Sequence, residues 1–140
     1  MSVPRPTRVE IDLAALRHNF REIQRIVGPG CDVLAVVKAD AYGHGVSQVA
    51  PALADAGARL FGVALVEEGM QLRRLGIEQP IIILGGIFPG QEPDVLAHRL
   101  TPVLYDLTCA RQLQRVASDA GCNIDYHLKV DTGMGRLGFR

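Results

Sequence analysis

The sequence predicts an α/β fold: a parallel (β/α)8 barrel of the TIM type, of which these 140 residues supply about the first half. Three observations carry that reading. Short apolar runs alternate with amphipathic helical segments, the pattern of repeated βα units and hence of a parallel sheet. Several runs are apolar throughout, as strands covered on both faces require. A whole barrel takes about 250 residues, well beyond this length. No linker or composition shift divides the chain, so residues 1–140 read as one N-terminal portion of a barrel domain.

The elements run in order along the chain. Arg8 to Ile11 is a short extended segment. Asp12 is placed as a helix N-cap, and Leu13, Leu16, Phe20, Ile23 and Val27 mark one helical face before Gly28-Pro29-Gly30 ends it. Val33 to Val37 is a strand; a helix carrying Val46, Val49, Ala50 and Leu53 runs to Gly57. Leu60 to Leu65 is the next strand. Glu67 and Glu68 open a helix closed by Arg73, Arg74 and Gly76, with charges that suit its macrodipole. Pro80 to Leu84 is a strand, residues 85–90 a loop and Glu92 to His98 a short helix. Thr101 to Tyr105, a helix over Leu107 to Ala120, and a strand over Ile124 to Val130 complete the series.

Composition excludes several classes. Fifteen basic and fifteen acidic residues cancel, and no like-charge block appears, so neither nucleic acid nor an anionic membrane has electrostatic support as a partner. The residues from Met1 to Arg8 lack the apolar core of a secretion signal. No apolar stretch reaches the roughly 20 residues of a membrane span. Cys31, Cys109 and Cys122 are odd in number and widely spaced, with no metal-ligand pattern. They read as buried or half-buried thiols of a reducing cytoplasm. The absence of a Gly-x-Gly-x-x-Gly after the first strand argues against dinucleotide binding.

Candidate chemistry gathers where strands end. Lys38 follows one strand, Leu84 ends another, and the segment from Lys129 to Arg136 leaves the last. In a βα barrel these ends share the face on which active sites are built. A lysine amine forms a Schiff base with an aldehyde cofactor when it is neutral, and an apolar surround favours the neutral form. The plain alternative is a lysine leaving the core for solvent. Tyr42 lies in a glycine-flanked turn into a helix, whose start would favour phosphate. Its hydroxyl could add a hydrogen bond, or it could be an ordinary half-buried tyrosine. His44 fits either a phosphate contact or a helix cap. In the last strand Ile124, Tyr126, Leu128 and Val130 take one face, Asp125, His127, Lys129 and Asp131 the other. The apolar set should face outward to a helix. The polar set should line the interior or its mouth, or mark a solvated edge. Arg136, between glycines, offers a planar fork for a carboxylate or oxyanion.

The stretch Ala35-Val-Val-Lys-Ala-Asp-Ala-Tyr-Gly-His-Gly45 closely resembles the pyridoxal phosphate lysine motif of alanine racemases. Val9-Glu-Ile-Asp-Leu-Ala-Ala-Leu-Arg-His-Asn19 and His127-Leu-Lys-Val-Asp-Thr-Gly-Met-Gly-Arg-Leu-Gly138 resemble other segments of that family. The resemblance covers essentially the whole chain. It implies a cytoplasmic, homodimeric, pyridoxal 5'-phosphate-dependent enzyme that interconverts L- and D-alanine for peptidoglycan precursor supply. It implies that Lys38 holds the cofactor and acts as the base on D-alanine. Tyr42 would bond the cofactor phosphate, and Leu84 would line the pocket. Arg136 would sit near the phenolic oxygen and the substrate carboxylate. Lys129 matches a lysine often carbamylated to N6-carboxylysine. No metal is implied. The second acid/base group, a tyrosine, belongs to a C-terminal β domain of the partner subunit. That domain and the later barrel strands lie outside these residues, so the expectation is an incomplete chain that does not racemise alanine alone. Two other readings stand beside it: a non-catalytic pyridoxal phosphate-binding barrel, and a related racemase of another amino acid.

Overall fold

The computed structural model describes residues 7–140, so the reading of the extreme N-terminus falls largely outside it. Helix α1 (Leu13–Val27) opens at Asp12, whose carboxylate accepts the amides of Ala14 at 2.8 Å and Ala15 at 3.0 Å. Strand β1 (Leu34–Val36), a single turn α2 (Lys38–Tyr42), and helix α3 (Val46–Asp55) come next. The chain continues through β2 (Leu60–Val63), α4 (Val66–Arg74), β3 (Ile81–Ile83), α5 (Glu92–Ala97), β4 (Thr101–Leu104), α6 (Leu107–Asp119) and β5 (His127–Leu128). The five strands form one parallel sheet in the order β1-β2-β3-β4-β5. Sequential parallel strands joined through helices are the architecture of the first half of a TIM barrel.

The register sorts side chains onto two faces, because a strand's period is two residues. Val36, Gly62, Ile82 and Thr101 pair in one line; Ala35, Phe61 and Ile81 pair in the next. Phe61, Val63, Ile81 and Ile83 are fully buried in a core shared with Phe20, Val49, Leu53, Leu72, Val95 and Leu113 from the helices. Burying each such strand side chain stabilises the fold by about 1.5–3 kcal/mol. The opposite face carries Leu34, Val36, Gly62, Ile82 and Val103, and is the one a closed barrel would enclose.

Several expectations are corrected. Arg8 to Ile11 forms no strand, and Val9 is exposed. The apolar face of α1 is buried chiefly at Phe20, with Leu13 and Leu16 packed beside it; Ile23 and Val27 remain exposed because α1 meets the core along α3 with only part of its length. The last strand is two residues long rather than seven, since β5 pairs only with the end of β4. Cys109 is buried, but Cys31 and Cys122 are exposed, on the loops that enter β1 and β5.

At the other end of the sheet, Arg73 ties two connections together. Its guanidinium donates to the carbonyls of Ile77 (2.6 Å), Gln79 (2.8 Å), His98 (2.8 Å) and Arg99 (2.8 Å). The first two lie on the approach to β3 and the others on the approach to β4. A lysine cannot reproduce the fork. Arg73→Ala should therefore lower unfolding free energy by about 3 kcal/mol, and Arg73→Lys by somewhat less, as read from urea denaturation midpoints.

Candidate functional site

The chain has only two lysines, Lys38 and Lys129, and each stands just beyond the C-terminal end of a strand, on the same end of a parallel sheet. The Val37 amide extends the β1–β2 ladder by donating to the Gly62 carbonyl at 2.8 Å, and the Lys129 amide extends β4–β5 by donating to Leu104 at 2.8 Å. The ladders thus hold the Lys129 amide itself and the residue that precedes Lys38.

The turn after Lys38 has an unusual backbone. Ala39, Asp40, Ala41 and Tyr42 are all left-handed, with φ of 51°, 54°, 53° and 56°. Left-handed helix costs an L-residue about 1–2 kcal/mol, and only an over-determined surround keeps it. That surround is explicit. The Ala41 amide donates to the Val37 carbonyl at 2.9 Å, Gly43 to Ala39 at 3.0 Å, and Gly45 to Asp40 at 3.0 Å. Asp40 Oδ1 accepts the Val46 amide at 2.7 Å, and His44 Nδ1 lies 2.9 Å from the Ala41 carbonyl oxygen. Glu68, from α4, accepts the Ala39 amide on Oε1 at 2.7 Å; its Oε2 accepts the amides of Ala64 (2.7 Å) and Leu65 (3.1 Å).

Two sequence expectations meet this geometry. The start of α3 has one of its amides taken by the Asp40 carboxylate, at Val46. Tyr42 is exposed (59%) rather than half-buried, with the Lys38 Nζ 5.9 Å from its ring centroid. His44 is engaged with the turn through its ring nitrogen.

Leu84 directly follows β3, and its amide donates to the Val63 carbonyl at 2.8 Å. Its side chain covers Gly62: a Cβ there would lie 3.2 Å from Leu84 Cδ1, 3.4 Å from Leu34 Cδ2 and 3.4 Å from Val36 Cγ2. The glycine lets these side chains approach the inner face. Next, a Cβ on Gly85 would sit 2.5 Å from the Ala64 carbonyl oxygen, so that turn lies tight against the end of β2.

The last segment is a closed loop. The Phe139 amide donates to the Lys129 carbonyl at 2.9 Å, and the Asp131 amide to Phe139 at 2.8 Å. Inside it, Asp131 Oδ1 accepts the amides of Gly133 and Gly135, each at 3.0 Å. These two bonds, Gly135 foremost, hold the Asp131 carboxyl below the usual aspartate range, with a smaller contribution from Arg140. Arg136 is exposed on the loop and Lys129 is half-buried beneath it. His127 pairs with Val103, which places it on the inner face with Lys129, while Leu128 pairs with Leu104 on the outer face. The expected division of the last strand therefore holds at those positions, although the strand is short.

Sequence reasoning missed Glu68 as a link. Its signal was a glutamate at the third position of a helix, which reaches back to cap the helix start. Its second oxygen, serving a loop 29 residues away, had no signal. The left-handed turn was equally silent, since none of its four residues is glycine.

The sequence profile described as "Alanine racemase, N-terminal domain" matches residues 11–140. An alanine racemase of Geobacter sp. (strain M21) is 52% identical over 136 residues, 96% of this chain and 36% of that protein. Among similar solved structures is alanine racemase from Bartonella henselae with covalently bound pyridoxal phosphate. It has a TM-score of 0.87 and 35% identity, over 93% of this chain and 38% of that one. Another is histidine racemase from Leuconostoc mesenteroides subsp. sake, with a TM-score of 0.82 and 30% identity over 91% of this chain and 34% of that one. The chain thus spans little more than a third of the length of the relatives it matches.

The Asp131 loop should respond to acid in a defined direction. A depressed carboxyl contributes stability that is fully present above its unfolded pKa and is lost as pH falls through the folded one. The amide proton shifts of Gly133 and Gly135 should stay constant through the range in which an ordinary aspartate titrates and move together only in more acidic solution. Asp131→Ala should abolish that titration and shift both resonances toward random-coil positions at neutral pH.

Proposed function

The chain belongs to the alanine racemase N-terminal domain family, and on that premise we propose that it forms the lysine-bearing part of a pyridoxal phosphate-dependent alanine racemase. The observation that carries the reading is the placement of Lys38: a half-buried primary amine at the C-terminal end of β1, aimed by a strained turn. Residues 1–140 are then the N-terminal portion of the cofactor-binding barrel. The protein would work in the cytoplasm as a homodimer and supply D-alanine for peptidoglycan precursors.

The residues at this face suit the cofactor. Lys38 offers an amine to an aldehyde, Tyr42 an exposed hydroxyl to a phosphate, and Leu84 with the side-chain-free Gly62 an apolar floor for a flat ring. Arg136 would donate to the phenolic oxygen and the substrate carboxylate. Bound pyridoxal phosphate would supply an electron sink for the carbanion left when the α-proton departs.

Lys38 Nζ would move that proton on one side of the substrate. Inversion needs a second acid/base group on the opposite side, which this reading assigns to the partner subunit. Lys129 and Arg136 are both cationic and would repel. A carbamate on Lys129 would reverse that sign and steady Arg136.

A second reading, a racemase of another amino acid, is favoured by the likeness to histidine racemase. Racemisation assays over alanine and histidine separate the two.

With two lysines in the chain, the cofactor test is direct. Reaction with pyridoxal phosphate, reduction with borohydride and peptide mapping should place the phosphopyridoxyl group on Lys38. Label on Lys129 alone, or on neither, would sink the proposal. Selective label on Lys38 in a full-length enzyme that racemises no amino acid would point instead to a non-catalytic carrier. In protein that racemises alanine, Lys129→Ala should lower turnover about tenfold, the scale of one charge-assisted contact, and added bicarbonate should not restore it.

A further inference from the structure

The peptide between Lys38 and Ala39 is the last backbone unit before the left-handed turn, and its amide is held from outside the turn. Glu68 Oε1 accepts the Ala39 N–H at 2.7 Å, while Oε2 accepts the amides of Ala64 at 2.7 Å and Leu65 at 3.1 Å. One carboxylate thus joins the exit from β1 to the exit from β2. Three amide donors converge on it, and these bonds are stronger than neutral ones because the acceptor is charged.

The geometry of the connection matters more than its strength. A left-handed turn of four non-glycine residues has an ordinary alternative close at hand, the right-handed backbone that the same residues prefer. Relaxing Ala39 toward it would rotate the Lys38–Ala39 peptide. The Cα–Cβ bond of Lys38 would swing with that rotation, and a small angle at the backbone becomes a large displacement at the end of a four-carbon side chain. Most bonds that hold the turn are internal and run along it: Ala41 to Val37, Gly43 to Ala39, Gly45 to Asp40. Asp40 secures its exit at Val46. Glu68 secures its entry, from an element whose position is set by the sheet.

We propose that Glu68 is a positioning residue for Lys38: by binding the Ala39 amide while anchored on the turn between β2 and α4, it fixes the direction from which the Lys38 amine reaches an aldehyde. The inference rests on the reading of Lys38 as the cofactor lysine. Glu68 touches neither cofactor nor substrate in this role and acts only through the backbone.

Glu68→Gln is the informative substitution. A carboxamide keeps the size but has one acceptor oxygen, so it serves either Ala39 or the Ala64–Leu65 pair, and its NH2 group opposes the other donors. Glu67→Gln is the control, because the Glu67 carboxylate accepts from the Gln91 side chain and contacts no amide of the turn.

The chain is treated with pyridoxal phosphate and borohydride, and the ratio of label on Lys38 to label on Lys129 is read by peptide mapping. A loss confined to general stability leaves that ratio unchanged while the protein is folded, as checked by circular dichroism. Glu68→Gln should lower it about tenfold, the scale of one charge-assisted hydrogen bond, and Glu67→Gln should not change it. An unchanged ratio in folded Glu68→Gln, with selective Lys38 labelling in the parent sequence, overturns the positioning role. Absence of Lys38 selectivity in the parent sequence removes the cofactor reading itself. Should Glu68→Gln fail to fold, Glu68→Asp decides, since it keeps the charge but falls one methylene short. A lowered ratio together with faster exchange of the Ala39 amide supports the proposal, and a parent-like ratio counts against it.

Discussion

Four consecutive non-glycine residues, Ala39 to Tyr42, hold left-handed backbone, and the geometry around Lys38 depends on what keeps them there. Strain of this kind survives only where several independent bonds agree. Here two carboxylates bracket the turn, Glu68 at its entry and Asp40 at its exit, with backbone bonds between them. The arrangement converts a flexible exit from a strand into a stiff one. A lysine on an ordinary loop would sample many directions; this one leaves the sheet through a peptide plane with a fixed partner.

The parallel sheet makes that stiffness useful. Because all strands run the same way, the segments that carry Lys38, Leu84 and Lys129 leave the sheet at one end, however far apart they lie in sequence. The opposite end does different work. There Arg73 gathers four carbonyls from the approaches to β3 and β4, so its contribution is to hold elements in place. The division of labour between the two ends matches the general behaviour of βα barrels, with chemistry at the strand C-termini and stability at the other end.

Much of this was legible in the sequence because it rests on period and on local chemistry. Strands such as Ile81–Ile83 appear as uninterrupted apolar runs, and Asp12 appears as an N-cap. What failed did so for physical reasons. Residues 124–130 alternate like a strand, but alternation describes side chains and not the presence of a partner; the β4 edge bonds only the stretch from His127 to the Lys129 amide. The apolar stripe of α1 is longer than the surface it packs on, so Ile23 and Val27 stay exposed. The left-handed turn could not be read because its residues have no intrinsic preference for it. Glu68 was visible as a helix-start residue, but its bond to Ala39 spans 29 positions and exists only in the folded chain.

The loop after β5 repeats the logic of the turn after β1 with different parts. Asp131 draws in the amides of Gly133 and Gly135, and the paired bonds between Lys129, Asp131 and Phe139 close the loop at its base. Gly138 has a φ of 137°, and a Cβ on it would run into the Asp131 amide, so the closure requires a residue without a side chain there. The result is a compact loop that carries Arg136 exposed near its crest and Lys129 half-buried at its foot. In both places a carboxylate that accepts backbone amides organises the segment, and neither Lys38 nor Arg136 enters an ion pair among the described residues. The segments that carry Lys38 and Arg136 are therefore held in place without consuming either cation in an ion pair, which is the condition a face must meet to offer an amine and a guanidinium to a ligand.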